Sequence, residues 1–357
     1  FDPCTGFYYR SGVLDDQGLP SGHEPFMASF PHLVDVGIMG HCKHGLSGLC
    51  PRARVQCYQE GPNRWQLDMS IEDFARILWE CRGRTYQFAL GGRGDPDQHK
   101  HFARILESCR ENGIVPNFTS SGFGLTEQAA RLAGQYCGAV AISWYGAPYT
   151  HRAIDMLLDA GVKTNIHFVL GNDTIDEAIR LIEEDGFPRG INRVVFLLHK
   201  PVGLGRRSNV LSVFDKRVKR FFGLFNDSRF CNMAGFDSCS VPALVNLAPA
   251  IHPATFDACE GGRFSAYISP DMKMLPCSFD QDYRWAVDLR HSTMEQAWRS
   301  SRFDEFRSRV NARCHGCPSR EHCLGGCPIA GEIVLCERFQ ISVGRRSPAP
   351  SGQEVKK

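Results

Sequence analysis

At 357 residues, with 43% hydrophobic and 22% charged side chains, the chain is long enough for one large globular domain and a smaller one. A formal net charge of +2 excludes a broad electrostatic surface for nucleic acid or membrane, and no apolar run reaches the ~20 residues of a membrane span. Sixteen cysteines would suit a disulfide scaffold only in a short secreted chain; at this length they indicate a reducing, cytoplasmic setting with metal-bound thiolates.

After a polar extension over residues 1–30, strands and helices alternate. Residues 32–39 (HLVDVGIM) read as a buried strand, and Ile71, Phe74, Ile77, Leu78 and Cys81 mark one face of a helix. A second strand, 85–90, ends at Gly91-Gly92. A helix over 101–111 and a strand over 114–118 follow. Thr126 caps a helix to 135, 139–143 (AVAIS) is a short apolar strand, and the helix over 153–160 stops at Gly161. A strand over 162–170 leads to Thr174-x-x-Glu177, a capping box for a helix to 184, and 191–199 (INRVVFLLH) is the sixth strand. Six βα units in succession imply an α/β fold with a parallel sheet and right-handed crossovers, an open partial (β/α)6 barrel over residues 31–228. A helix over 213–225 precedes a turn-rich region, 229–342, of the kind that metal ligation fixes in place of a large core. The Pro-, Ser- and Lys-rich tail, 343–357, is expected to be mobile.

The cysteines carry the chemistry. Cys42, Cys50 and Cys57 follow the first strand, on the face where parallel α/β folds gather functional groups. Three thiolates can hold a four-iron cluster with one iron open to a ligand; a zinc site would need a fourth ligand, His41 or His44. The second group runs Cys314-x2-Cys317-x5-Cys323-x3-Cys327, then Cys336, with Cys259 and Cys277 upstream, soft ligands for iron–sulfur clusters or for zinc. Cys4, Cys81, Cys109 and Cys137 have no spacing partners, and the thirteen histidines form no ligand-spaced pair. Gly203-Leu204-Gly205-Arg206 reads as a loop at a barrel strand's end, placed to contact a ligand; Asp280, close to Cys277, is either a base or a solvated loop aspartate.

Gly40-His41-Cys42 and Cys57-Tyr58 bracket the first cysteine group, Gly91-Gly92 closes the second strand, and Ser265-Ala266-Tyr267-Ile268-Ser269-Pro270-Asp271 and Leu275-Pro276-Cys277 sit between the later cysteines. With these motifs, most of the chain resembles the radical S-adenosylmethionine (SAM) enzymes that carry a C-terminal SPASM domain. The usual CxxxCxxC is expanded here to Cys42-x7-Cys50-x6-Cys57, Arg93 replaces the glutamate of the family's Gly-Gly-Glu turn, and Met272 stands where a glycine is usual. The resemblance implies three [4Fe-4S] clusters. Cys42, Cys50 and Cys57 would hold the SAM-binding one. Cys314, Cys317, Cys323 and Cys336 would hold one auxiliary cluster, and Cys259, Cys277 and Cys327 another. The candidate fourth ligand of that last cluster is Cys239, with Cys231 or an open iron as alternatives. Tyr58, Gly91, Gly92, Ser120 and Ser143 are implied SAM-binding positions.

The implied activity is reductive cleavage of SAM to a 5′-deoxyadenosyl radical that abstracts hydrogen from a ribosomally made precursor peptide with a leader. The segments Phe236-Asp237-Ser238-Cys239 and 259–279 resemble maturases of precursors with long leaders, some of which excise tyramine from a Tyr-Gly site and leave an α-keto-β-amide. Thioether formation, other cross-linking and epimerisation are alternatives. So is a sulfatase-type maturase, although Ser278 stands where that type carries Asp; a non-enzymatic metal scaffold would bind no SAM. No leader-binding domain of about eighty residues precedes the first strand, so a small separate leader-binding protein is expected. Ferredoxin or flavodoxin is the expected electron donor.

Overall fold

The computed structural model describes residues 25–311 and 316–344 continuously, and 1–4, 8, 10, 12, 14–19, 21 and 314 besides; the tail from 345 and parts of the N-terminal extension lie outside them. The six expected strands form: β1 (Leu33–Met39), β2 (Gln87–Gly92), β3 (Val115–Ser120), β4 (Val140–Ser143), β5 (Thr164–Leu170) and β6 (Arg193–Leu198), each parallel to the next. In β5 every second residue, from Thr164 to Leu170, is buried, while Asn165, His167 and Val169 between them are half-buried. This alternation gives the strands an apolar outer face and a more polar inner one.

A short α1 (Leu49–Arg52) lies within the first cysteine loop. The layer of helices is α2 (Ile71–Cys81), α3 (Phe102–Glu111), α4 (Glu127–Tyr136), α5 (Pro148–Asp159), α6 (Ile175–Glu183) and α7 (Lys216–Leu224). Ser70 and Thr126 cap α2 and α4 by accepting from the N–H of Asp73 and Ala129. The capping box expected at Thr174 does not form. Thr174 Oγ1 donates to the Val169 carbonyl at 2.7 Å, and Glu177 accepts from Trp144 Nε1 at 3.1 Å. Tertiary partners take both side chains that the local motif would have used.

The C-terminal region departs most from expectation. After α8 (Ser228–Cys231), β7 (Ala234–Phe236) pairs parallel with β6, and α9 (Val241–Leu247) follows. β8 (Ser265–Ile268) pairs parallel with β1 and antiparallel with β9 (Lys273–Leu275), which pairs with β10 (Val287–Asp288). One ten-stranded sheet results, ordered β10-β9-β8-β1-β2-β3-β4-β5-β6-β7. The sheet therefore runs through the division expected at 228/229. α10 (Met294–Trp298), α11 (Ser301–Asn311), α12 (Arg320–Cys323) and α13 (Glu337–Gly344) complete the described chain. A true capping box, unforeseen from sequence, opens α10 at Thr293 and Gln296.

Phenylalanines fill the wall between β6, α7 and β7. Phe196 lies 4.9 Å from Phe221 and 5.7 Å from Phe168, ring centre to ring centre, and Phe225 lies 4.9 Å from Phe236. These edge-to-face and tilted contacts add to plain burial. Phe196→Ala is expected to cost about 3–5 kcal/mol, because five neighbouring rings cannot all collapse into the cavity; denaturant unfolding measures it.

Candidate functional site

The loop from Cys42 to Cys57 sits above the C-terminal ends of the strands. Its thiols act electrostatically on one another: burial first, then Cys50 and Cys57 among its neighbours, push Cys42 up to about 11. The Gly61 amide donates to Cys57 Sγ at 3.4 Å, and Cys50 Sγ lies 3.5 Å from the Tyr145 hydroxyl. Of the two candidate zinc histidines, His44 is hydrogen-bonded elsewhere, whereas His41 Nδ1 lies near a carboxylate without completing a hydrogen bond. His41 Nδ1 lies 3.1 Å from Asp68 Oδ1, and His44 Nε2 lies 2.7 Å from Gln98 and 3.5 Å from Asp95.

The Gly203–Arg206 loop braces this one. Gly203 has φ +61°, and a Cβ there would strike the Tyr58 carbonyl at 2.3 Å. Leu204 N–H donates to the Cys57 carbonyl at 3.0 Å and Arg206 N–H to Gln56 Oε1 at 2.7 Å. Only glycine fits such a backbone with so close a neighbour. Gly92, at φ +117°, is similar: its Cβ would meet the Met39 carbonyl at 2.3 Å, whereas Gly91 faces open space. Ser120 is buried, accepts from the Gly122 N–H and touches Asp97. Ser143, at the end of β4, is paired with His167 on β5. Burial holds His167 down at about 4, so it is neutral, and Thr119 Oγ1 lies 3.3 Å from its Nδ1. Between the cysteine loop and β4–β5 a cavity of about 160 Å³ is lined by Arg52, Arg54, Trp144, Tyr145, Val169 and Glu177.

The later cysteines fall into two sets. Cys239 hydrogen-bonds Cys327, while Cys259 and Cys277 act on each other and on both sides feel Cys239. Cys231, the other named candidate, donates instead to the Phe225 carbonyl at 2.9 Å. In the second set Cys323 is pushed up to about 11, by burial first and then by Cys314, Cys336 and Cys317. Among the described residues no three His, Cys, Asp or Glu side chains are drawn tightly enough to hold a single metal ion. The donors nevertheless fit iron–sulfur clusters: they are soft thiols in sets of three and four, with glycines where bulk would intrude. A Cβ on Gly61 would meet Cys42 Cβ at 2.9 Å, and one on Gly261 would meet Cys259 Sγ and Cys277 Cβ, each at 3.6 Å.

Tyr58 links the two regions. Its ring lies 4.3 Å from that of Phe279, and Lys200 Nζ sits 4.4 Å over the same Phe279 ring. Lys200, buried, pairs with Asp237 Oδ2 at 2.7 Å. Burial opposes its charge, but Asp237 and the thiols of Cys239 and Cys327 outweigh that and keep the ammonium protonated. The sequence reading missed Lys200, though its place directly after β6 was a signal. Asp280, expected as a base or a solvated loop aspartate, is not solvated. It is buried, its carboxylate oxygens accept from the Arg284 and Trp285 N–H groups at 3.1 and 2.9 Å, and it thereby ties its own turn.

A profile of the SPASM family, described as an iron–sulfur cluster-binding domain, matches residues 259–318. Among solved structures, Streptococcus suis SuiB bound to S-adenosylmethionine aligns at TM-score 0.64 and 16% identity, over 84% of this chain and 74% of that one. SuiB bound to its precursor peptide SuiA gives 0.65 and 15%, over 87% and 77%. Native anSMEcpe with bound AdoMet and the Cp18Cys peptide gives 0.61 and 15%, over 86% and 91%. The chain shares the fold of SuiB and anSMEcpe. Cys259, Cys277, Cys314 and Cys317 lie inside the profile match, and the SPASM thiols Cys323, Cys327 and Cys336 follow it.

If Cys239 completes the set with Cys259, Cys277 and Cys327, Cys239→Ala loses about four irons from the reconstituted protein while Cys231→Ala loses none; iron and sulfide assays decide between them. A second expectation concerns Asp35, on β1 opposite Tyr267. Burial, then Glu260, raises its carboxyl from 3.8 to about 7. Between those values the folded state holds a proton that the unfolded state releases, so this group's contribution to stability falls as pH rises. Melting curves are expected to show Asp35→Asn gaining on the wild type from pH 4 to 7, with a constant gap above that.

Proposed function

We propose that the protein is a radical SAM enzyme that modifies a peptide. The observation that carries this reading is the grouping of the cysteines into three sets whose members act on one another. The first lies at the strand ends beside Gly91-Gly92, and the other two lie in a SPASM domain whose strand β8 borders β1. SuiB and anSMEcpe, of the same fold, are described with SAM and with peptides.

In this reading Cys42, Cys50 and Cys57 hold the SAM-binding [4Fe-4S] cluster. Cys239, Cys259, Cys277 and Cys327 hold one auxiliary cluster, and Cys314, Cys317, Cys323 and Cys336 another. When bound, the first cluster supplies the electron for SAM cleavage to a hydrogen-abstracting radical. The chain's own residues bind and orient. Gly91 presents bare backbone to the ligand, Ser120 and Ser143 stand at the rim, and neutral His167 and Thr119 lie side by side. Tyr58, stacked on Phe279, closes the space between the first thiol set and Cys277. Lys200 keeps a fixed positive charge beside the thiols of Cys239 and Cys327.

The substrate in this proposal is a precursor peptide, delivered by a separate leader-binding protein, with ferredoxin or flavodoxin as electron donor in the reducing cytoplasm. No helix among the described residues is long and apolar enough to cross a membrane. Excision of tyramine from a Tyr-Gly site is the specific reaction proposed, on the sequence likeness of 236–239 and 259–279 to peptide spliceases. Anaerobic reconstitution is expected to yield about twelve irons, and reduction with SAM to give 5′-deoxyadenosine that Cys57→Ala abolishes. Bound zinc without SAM cleavage would sink the reading. Mass spectrometry of a Tyr-Gly precursor then separates loss of a tyramine unit from a cross-link.

A further inference from the structure

Arg93 stands where the resembled family has glutamate, and its environment is unusual for an arginine. It is 8% exposed, its Nε has no hydrogen-bond partner, and no carboxylate lies within ion-pair distance of it among the described residues. A guanidinium taken out of water without a counter-charge is costly, and folded chains ordinarily pair it. A second donor sits nearby. Gln59 is 4% exposed, and its Nε2 is turned toward the phenols of Tyr58 and Tyr267 but completes no hydrogen bond of normal geometry. Arg93 and Gln59 both act on the buried Tyr267 phenol. Tyr267 OH in turn rests against β1, only 2.6 Å from where a Gly37 Cβ would be.

A positive charge and an amide, both buried and both with unused N–H groups, face one spot between β1, the end of β2 and β8. We propose that Arg93, Gln59 and Tyr267 form a carboxylate-binding site, and that its ligand is a carboxylate of the peptide substrate, an acidic side chain or the C-terminus. Bidentate pairing with a planar guanidinium suits a carboxylate in particular. The position favours the substrate. Gln59 adjoins Tyr58, whose ring meets Phe279 two residues after Cys277, so the site lies between the first thiol set and the SPASM domain. The naming of the peptide as source rests on the proposed function; the existence of the anion site does not.

The test uses the cluster-reconstituted full chain, wild type beside Arg93→Gln, Arg93→Lys and Arg93→Met. Sodium acetate is expected to raise the melting temperature of the wild type more than sodium chloride at equal ionic strength, and Arg93→Gln to abolish the difference. Arg93→Met, which removes an unpaired buried charge, is expected to melt higher than the wild type without ligand. For a peptide with an acidic residue near the modified site, KM is expected to rise roughly ten- to a hundredfold in Arg93→Gln, with partial recovery in Arg93→Lys and no change for the amidated counterpart. A loss of that size in SAM binding instead, absent with decarboxylated SAM, retains the site and assigns it to the methionyl carboxylate. Unchanged responses to acetate, SAM and acidic peptide in Arg93→Gln would overturn the site. A wild type that responds to acetate through Arg93 but never cleaves SAM refutes the radical reading alone.

Discussion

The pairing of β8 with β1 is the constraint on which the rest of the molecule depends. Leu33–Val36 hydrogen-bonds Gln87–Leu90 on one side and Ser265–Ile268 on the other, so the first strand becomes an interior one. That joins residues more than two hundred positions apart and seats the SPASM domain against the barrel's lumen. Tyr267 then faces Asp35, and Tyr58 meets Phe279. An unpaired β1 would leave a row of backbone donors and acceptors unsatisfied and the lumen open at its first strand.

Around that seam the site alternates rigid and bare positions. Gly203 lets its loop press on the Tyr58 carbonyl, Gly92 lets the β2 turn press on Met39, and Gly61 and Gly261 leave room beside thiols. Larger groups supply fixed charge and shape: Lys200 locked to Asp237, Asp280 tying its turn, and the aromatic stack at Tyr58. The barrel side of the scaffold is well packed by its side chains alone. In the SPASM domain packing is also real: Trp298 Nε1 donates to the Ala28 carbonyl, and Arg307 donates to the Gly262 and Trp298 carbonyls.

Uncompensated charge and compensated charge play different parts here. Lys200 is buried with its partner and carries a settled charge. Arg93 is buried without one. Asp35 answers the same cost by holding its proton up to about 7. An arginine cannot give up its proton in this way, so an external anion is the remaining remedy.

Much of this was legible in the chain itself. The βα alternation located six strands to within a few residues, because short apolar runs, some fully buried and some of period two, stand between amphipathic helices. The cysteine spacing separated the first group from the later ones. What local patterns could not reveal were partners supplied from a distance. β7 and β8, of three and four residues, have no periodicity long enough to read and exist as strands only because β6 and β1 present open edges. Thr174 and Glu177 spell a capping box, yet Val169 and Trp144 claim them. Asp280, close to Cys277 in the chain, is buried and ties its own turn, which its neighbours in sequence did not reveal. Sequence determined which residues can ligate, bury or bend. Tertiary structure decided which of them meet and which are left without a partner, because hydrogen bonds and charges are satisfied by neighbours in space.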